Sequence, residues 1–179
     1  MVLSTGMLML DRDGTVIRYI HYLTDPGQVE LINGVADGLK EISDLGISIC
    51  IVTNQSVIGR GMATVERVAE VNKEMIEQLS HKGVLITDIK VCPHLPTDNC
   101  GCRKPMPEMA FQLMEDFSVA PSQILMVGDS ETDIEFGINA GVKTVLFSKF
   151  DNPISKRDYF CQDWISVIKI AKEVLCQRN

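Results

Sequence analysis

Residues 7–15 read MLMLDRDGT. Four unbroken apolar residues ended by an aspartate have the pattern of a short strand covered on both faces, which delivers a polar side chain at its carboxyl end. Related segments recur along the chain. ISICIV (47–52) runs into TNQS, TDIKVC (87–92) into the rest of CPHLPTDNCGCRKP (92–105), and QILMVGD (123–129) into SETDI, while KTVLFS (143–148) reads as a fifth strand.

The intervening segments have helical spacing. Val35, Leu39 and Ile42 repeat at helical intervals, with Gly46 at the stop. Thr64 is placed to cap a helix through about His81, with Val68, Val71, Met75 and Leu79 on one face. Pro107 suits the first position of PEMAFQLMEDFS, and ETDIEFGINAG follows the fourth strand. A short strand near DYFCQ and a helix from about Ile165 to Cys176 complete the reading. Strands alternating with helices predict an α/β fold, a Rossmann-like doubly wound parallel sheet with helices on both faces. In such sheets ligands gather at the carboxyl ends of the strands, where the polar motifs fall.

Length and composition fit one domain spanning 1–179, with 92–105 as a loop within it: 179 residues, 45% hydrophobic and 23% charged. No apolar run reaches the roughly 20 residues of a membrane span, and MVLSTGMLML lacks the marks of a secretory leader, so a cytoplasmic location is expected. A reducing compartment favours thiols or metal ligands over disulfides, and Cys50, Cys161 and Cys176 read as buried small hydrophobes. A net charge of −7 argues against a nucleic-acid partner but not against a small phosphorylated ligand, which needs only a local cluster of cations. The chain is expected to be a monomer.

Asp11 and Asp13 lie two residues apart on a loop that Gly14 lets turn, and GDSETDI adds Asp129 and Asp133. Alone, the first pair reads equally as an Asp-Gly turn. Together, carboxylates converging on one crevice would repel each other unless a hard cation lay between them, and a few oxygen ligands suit Mg²⁺. Cys92, His94, Cys100 and Cys102 form C-x-H-x5-C-x-C, which suits a tetrahedral zinc site. A disulfide is the alternative, although a Cys100–Cys102 bridge would be strained and any other pairing leaves one cysteine and His94 over. Four protein ligands leave no open position, so such a zinc would be structural.

DRDGT, TNQ, RKP before a helix, and GDSETD after a strand, in that order, resemble the haloacid dehalogenase superfamily. The resemblance implies a phosphatase acting through an aspartyl-phosphate. Asp11 would be the nucleophile and Asp13 the acid and then the base. Thr53 and Lys104 would stabilise the transferring group, and Mg²⁺ would bind Asp11, the Asp13 carbonyl and Asp129. The zinc loop running into CRKP is similar to the cap-less branch that holds heptose-bisphosphate 7-phosphatases and histidinol-phosphate phosphatases. TNQSVIGRG (53–61) favours the former, so the implied substrate is the C7 phosphate of D-glycero-D-manno-heptose 1,7-bisphosphate. Tyr22, Asn54, Gln55, Ser56, Arg103 and Lys104 would then contact substrate. The shortness of the zinc loop, Val57 for glycine and YIHY at 19–22 depart from that pattern, and the short loop keeps histidinol phosphate as the alternative; Ser130 stands where the former often carries a lysine and the latter an arginine, and so departs from both. A non-catalytic, zinc-stabilised phospholigand-binding protein is the reading of another class, and the complete set Asp11, Asp13, Thr53, Lys104 and Asp129 argues against it. Asp133 could orient Lys104, tune the metal or cap the following helix.

Overall fold

The computed structural model describes residues 6–176. The reading of residues 1–5 as lacking a leader lies outside them. The elements are β1 (Met7–Leu10), α1 (Val35–Asp44), β2 (Ser48–Asn54), α2 (Ser56–Gly59), α3 (Val65–Ser80), β3 (Asp88–Cys92), α4 (Glu108–Phe117), β4 (Ile124–Gly128), α5 (Glu131–Ala140), β5 (Lys143–Phe147), β6 (Tyr159–Cys161) and α6 (Trp164–Leu175). All six strands are parallel, in the order β3-β2-β1-β4-β5-β6. That order is doubly wound. The direction in which successive strands are added reverses at β1, which lies between β2 and β4, and this places a crevice beyond its carboxyl end.

Alternation along β1 divides the core. Leu8 and Leu10 join the apolar faces of α1, α3 and α6, while Met7 and Met9 join those of α4 and α5. Both faces of the central strands are therefore dry, which explains their unbroken apolar sequences. Strand β3, at the sheet edge, is only half-buried until Cys92. Thr64 caps α3 by accepting a hydrogen bond from the Arg67 N–H, as its position implies.

Two expectations need correction. Pro107 is the N-cap of α4 and not its first residue. Cys176 is exposed, unlike Cys50 and Cys161, because it follows Leu175, the last buried residue of α6, by about 100° of helical rotation and so leaves the buried stripe. Among the described residues no helix is long and apolar enough to cross a membrane.

Candidate active site

Register brings the polar residues to one level. Leu10 pairs with both Ile51 and Val127, so Asp11, Thr53 and Asp129 emerge together one or two residues later. The Asp11 N–H donates to the Val127 carbonyl at 3.0 Å, which extends the β1–β4 ladder to the aspartate itself. Two glycines permit the close approach. Gly14 has φ +91°, and a Cβ there would lie 2.1 Å from Asp129 Oδ2. A Cβ on Gly128 would lie 2.2 Å from that of Asp133.

Lys104 is 4% exposed. Its Nζ donates to Asp11 Oδ1 at 2.6 Å, Asp133 Oδ1 at 2.6 Å and the Val52 carbonyl at 2.8 Å. Three acceptors for three protons make a buried ammonium tolerable. Burial opposes its charge, and the Asp11 and Asp133 carboxylates more than offset that, so its pKa is raised. Asn54 holds the lysine's backbone from both sides, accepting from the Lys104 N–H at 3.0 Å and donating to its carbonyl at 3.1 Å. Asp133 is shared between Lys104 and a cap: its Oδ2 accepts from the Ser130 hydroxyl at 2.6 Å and the Ser130 N–H at 3.2 Å.

One ammonium does not neutralise this crevice. Asp11, Asp129 and Asp133 each bring a carboxylate oxygen within 4.8 Å of the others. Burial pushes Asp129 up to about 6, with the Asp133 carboxylate adding to the shift. Asp11 is pushed up chiefly by burial as well, against the pull of Lys104. Oxygen donors that the fold holds together but that resist carrying their charge are the donor set a small divalent cation fits.

Asp13 lines the same crevice but has other partners. Its Oδ2 accepts from Arg12 Nε at 3.0 Å and Gln55 Nε2 at 2.8 Å, and its Oδ1 accepts from Arg12 Nη2 at 3.1 Å. Gln55 Nε2 also donates to Thr53 Oγ1 at 2.9 Å, which leaves the Thr53 proton free to be donated to a ligand. Sequence reading passed over Arg12, which is 1% exposed, and its partner Asn72 on α3. A signal existed for Asn72: it lies four residues after Val68, on the apolar face of its helix.

Beyond β3 lies the second cluster. Parallel pairing sets Asn54 beside Cys92, and the Gln55 N–H donates to the Cys92 carbonyl at 2.7 Å, so the loop starts against the site. The Sγ atoms of Cys92, Cys100 and Cys102 are 3.2–3.7 Å apart, and His94 Nδ1 lies 3.2 Å from Cys102 Sγ and 3.6 Å from Cys92 Sγ. Tetrahedral zinc with Zn–S of about 2.3 Å sets sulfurs about 3.8 Å apart. Among the described residues no cysteine is in a disulfide. Burial, then the thiols of Cys92 and Cys100, push Cys102 up to about 12, so a cation is needed to hold its sulfur as a thiolate. From the loop Arg103 donates to the His94 carbonyl at 3.2 Å.

A crevice of about 460 Å³ joins these groups, with Asp11, Asp13, Thr53, Gln55, Lys104 and Asp129 at its floor and Tyr22, Ser56 and Arg103 also in its wall. Residues 7–141 match the haloacid dehalogenase-like hydrolase family. The chain belongs to that family. Among its relatives, D-glycero-beta-D-manno-heptose-1,7-bisphosphate 7-phosphatase of Yersinia pestis is 31% identical over 172 residues, 92% of each chain. The alpha-anomer enzyme of Photorhabdus laumondii is 35% identical over 154 residues, 82% of this chain and 84% of that one. The crystal structure of D,D-heptose 1,7-bisphosphate phosphatase from B. bronchiseptica, complexed with magnesium and phosphate, superposes with a TM-score of 0.84 at 25% identity, covering 94% of this chain and 98% of that one.

For a haloacid dehalogenase-like hydrolase the arrangement has plain chemical capacities. A carboxylate at the end of β1 can act as a nucleophile. A second carboxylate, two residues on, can move protons, and a buried ammonium can offset anionic charge.

Proposed function

We propose that the protein is a Mg²⁺-dependent phosphatase that removes the C7 phosphate of D-glycero-D-manno-heptose 1,7-bisphosphate. The observation that carries this reading is the floor of the crevice: Asp11 beside Lys104 and within reach of Asp129, with Asp13 two residues on. The named relatives supply the substrate.

In the first step an Asp11 carboxylate oxygen attacks phosphorus, the bond from phosphorus to the ester oxygen breaks, and Asp13 protonates the departing alkoxide. In the second, Asp13 takes a proton from water as the water oxygen attacks the same phosphorus, which frees Asp11 and inorganic phosphate. The Thr53 hydroxyl donates to a phosphoryl oxygen, and Lys104 offsets charge on the transferring group. Asp11, the Asp13 carbonyl and Asp129 would hold Mg²⁺, which screens nucleophile from phosphate. Cys92, His94, Cys100 and Cys102 would hold a structural Zn²⁺.

Tyr22, Asn54, Gln55 and Ser56 line the sugar side, and the Arg103 guanidinium suits a distal phosphate, which it can bind bidentately. The Ser130 hydroxyl is engaged by Asp133, so that position adds no cation. The short loop from Cys92 to Pro105 keeps histidinol phosphate, which has no second phosphate, as the second reading.

The test compares kcat/KM on both heptose bisphosphate anomers and on histidinol phosphate, with Asp11→Asn as control. A heptose bisphosphate should lead, and phosphate release in the variant should fall to background. Preference for histidinol phosphate would replace the substrate; Mg²⁺-dependent release surviving in Asp11→Asn would remove the mechanism.

A further inference from the structure

Arg12 stands between the two aspartates of its motif, yet the steps above give it no task. It is buried, with its fork spent side-on against Asp13. The remaining nitrogen, Nη1, donates to Asn72 Oδ1 at 2.7 Å. Guanidinium has only donors, so the acceptor must be the amide oxygen. Asn72 is 7% exposed and lies among Val68, Val71, Met75 and Leu79 on the buried face of α3. A polar amide there costs stability unless it is bonded, and α3 sends no residue, Asn72 included, to the crevice wall.

We infer that Asn72 is a positioning residue that acts through Arg12 to set the direction of the Asp13 carboxyl. This rests on the phosphatase reading, in which Asp13 moves both protons. Arg12 and Asp13 are chain neighbours on one loop, so their ion pair alone can swing as a unit. The bond to Asn72 fixes the far end of the guanidinium to a sixteen-residue helix, and Gln55 closes the other side of the carboxyl at 2.8 Å. The carboxyl is thereby held between two planar groups, each anchored to a different element. A proton donor must lie within hydrogen-bond reach of the leaving oxygen, and displacement by about 1 Å costs about 100-fold.

Leaving groups separate this role from a merely structural one. An alkyl phosphate needs its departing oxygen protonated, whereas a nitrophenyl phosphate does not. With Asn72→Leu, kcat/KM on the alkyl ester should fall at least about 10-fold more than on the aryl ester. On the aryl ester kcat should fall while a burst of nitrophenolate appears, because water activation in the second step also depends on Asp13. Asn72→Asp, which keeps an oxygen at that position, should restore most of the alkyl activity. Arg12→Lys, which keeps the charge without the fork, should repeat the Asn72→Leu pattern and serves if that variant does not fold. Equal losses on both esters without a burst, or full activity in folded Asn72→Leu, would overturn the inference. A wild-type protein inactive on both esters overturns the phosphatase reading first, and this inference with it.

Discussion

At the residue scale, one glycine and one lysine carry consequences that reach beyond their own positions. Gly14 lets the backbone pass against the Asp129 carboxylate, and any Cβ there would overlap its oxygen. Gly14→Ala should therefore move the loop holding Asp13 away from Asp129, adding the strain of a positive φ to the overlap. We expect kcat/KM to fall by about 100-fold or more and Mg²⁺ affinity to weaken, with the circular dichroism spectrum unchanged; kinetics and Mg²⁺ titration check this. Lys104→Met removes the ammonium shared by Asp11 and Asp133. Breaking a buried ion pair by deleting one partner costs about 3–5 kcal/mol, but here the stranded groups can escape by taking up protons. The loss of stability should thus be larger at pH 8 than at pH 5, as denaturant titrations at the two values will show.

At the scale of elements, the loop between β3 and α4 sets Lys104. Its start is tied to β2 by the ladder at Cys92, and its end by the Asn54 amide on the Lys104 backbone. Between these ties the cysteines and His94 draw together, with little apolar burial to replace a bound metal. Cys102→Ser, or chelation of zinc, should lower Tm by about 6–12 °C if about 3 kcal/mol is lost, since each kcal/mol shifts a domain of this size by about 2–4 °C. It should also raise KM through Arg103, while Mg²⁺ binding at Asp11 and Asp129 persists. Calorimetry and kinetics on the metal-depleted protein test both parts. The ligand set itself was legible in the spacing of residues 92–102, and the strands were legible because burial on both faces leaves unbroken apolar sequence. Other features were hidden for physical reasons. A lysine buried by partners at positions 11, 52 and 133 has no local mark, because the partners meet only when the sheet forms. Arg12 between two aspartates looks like a solvated charge until α3 supplies Asn72. Asp133 served both as helix cap and as partner of Lys104, and no local pattern separates those roles.

At the scale of the whole molecule, the fold stores carboxylates in a site that favours their neutral forms, and this couples stability to pH and to metal. Asp129 has a native pKa of about 6 against an ordinary value of 3.8, and Asp11 is shifted in the same direction. Between those values the native state holds protons that the unfolded chain has released. The slope of unfolding free energy with pH follows the protons bound by the unfolded state minus those bound by the native one, which is negative here. These groups therefore make the metal-free protein progressively less stable as pH rises from about 4 through 6 and beyond, opposite to the behaviour of a carboxylate whose pKa is lowered by an ion pair. A divalent cation reverses this by binding the ionised forms, so it competes with protons for the same oxygens. Mg²⁺ should raise Tm little at pH 5 and by several degrees at pH 8, and its binding should release protons most strongly between pH 5 and 7. Scanning calorimetry with and without Mg²⁺, and titration calorimetry in buffers of different ionisation enthalpy, measure the two quantities. Asp129→Asn supplies the control: it removes one displaced proton and one ligand together, so the metal-free pH slope should flatten while the Mg²⁺-induced shift shrinks. A steep slope retained in that variant would place the linkage outside the crevice, in the general repulsion of a chain with net charge −7.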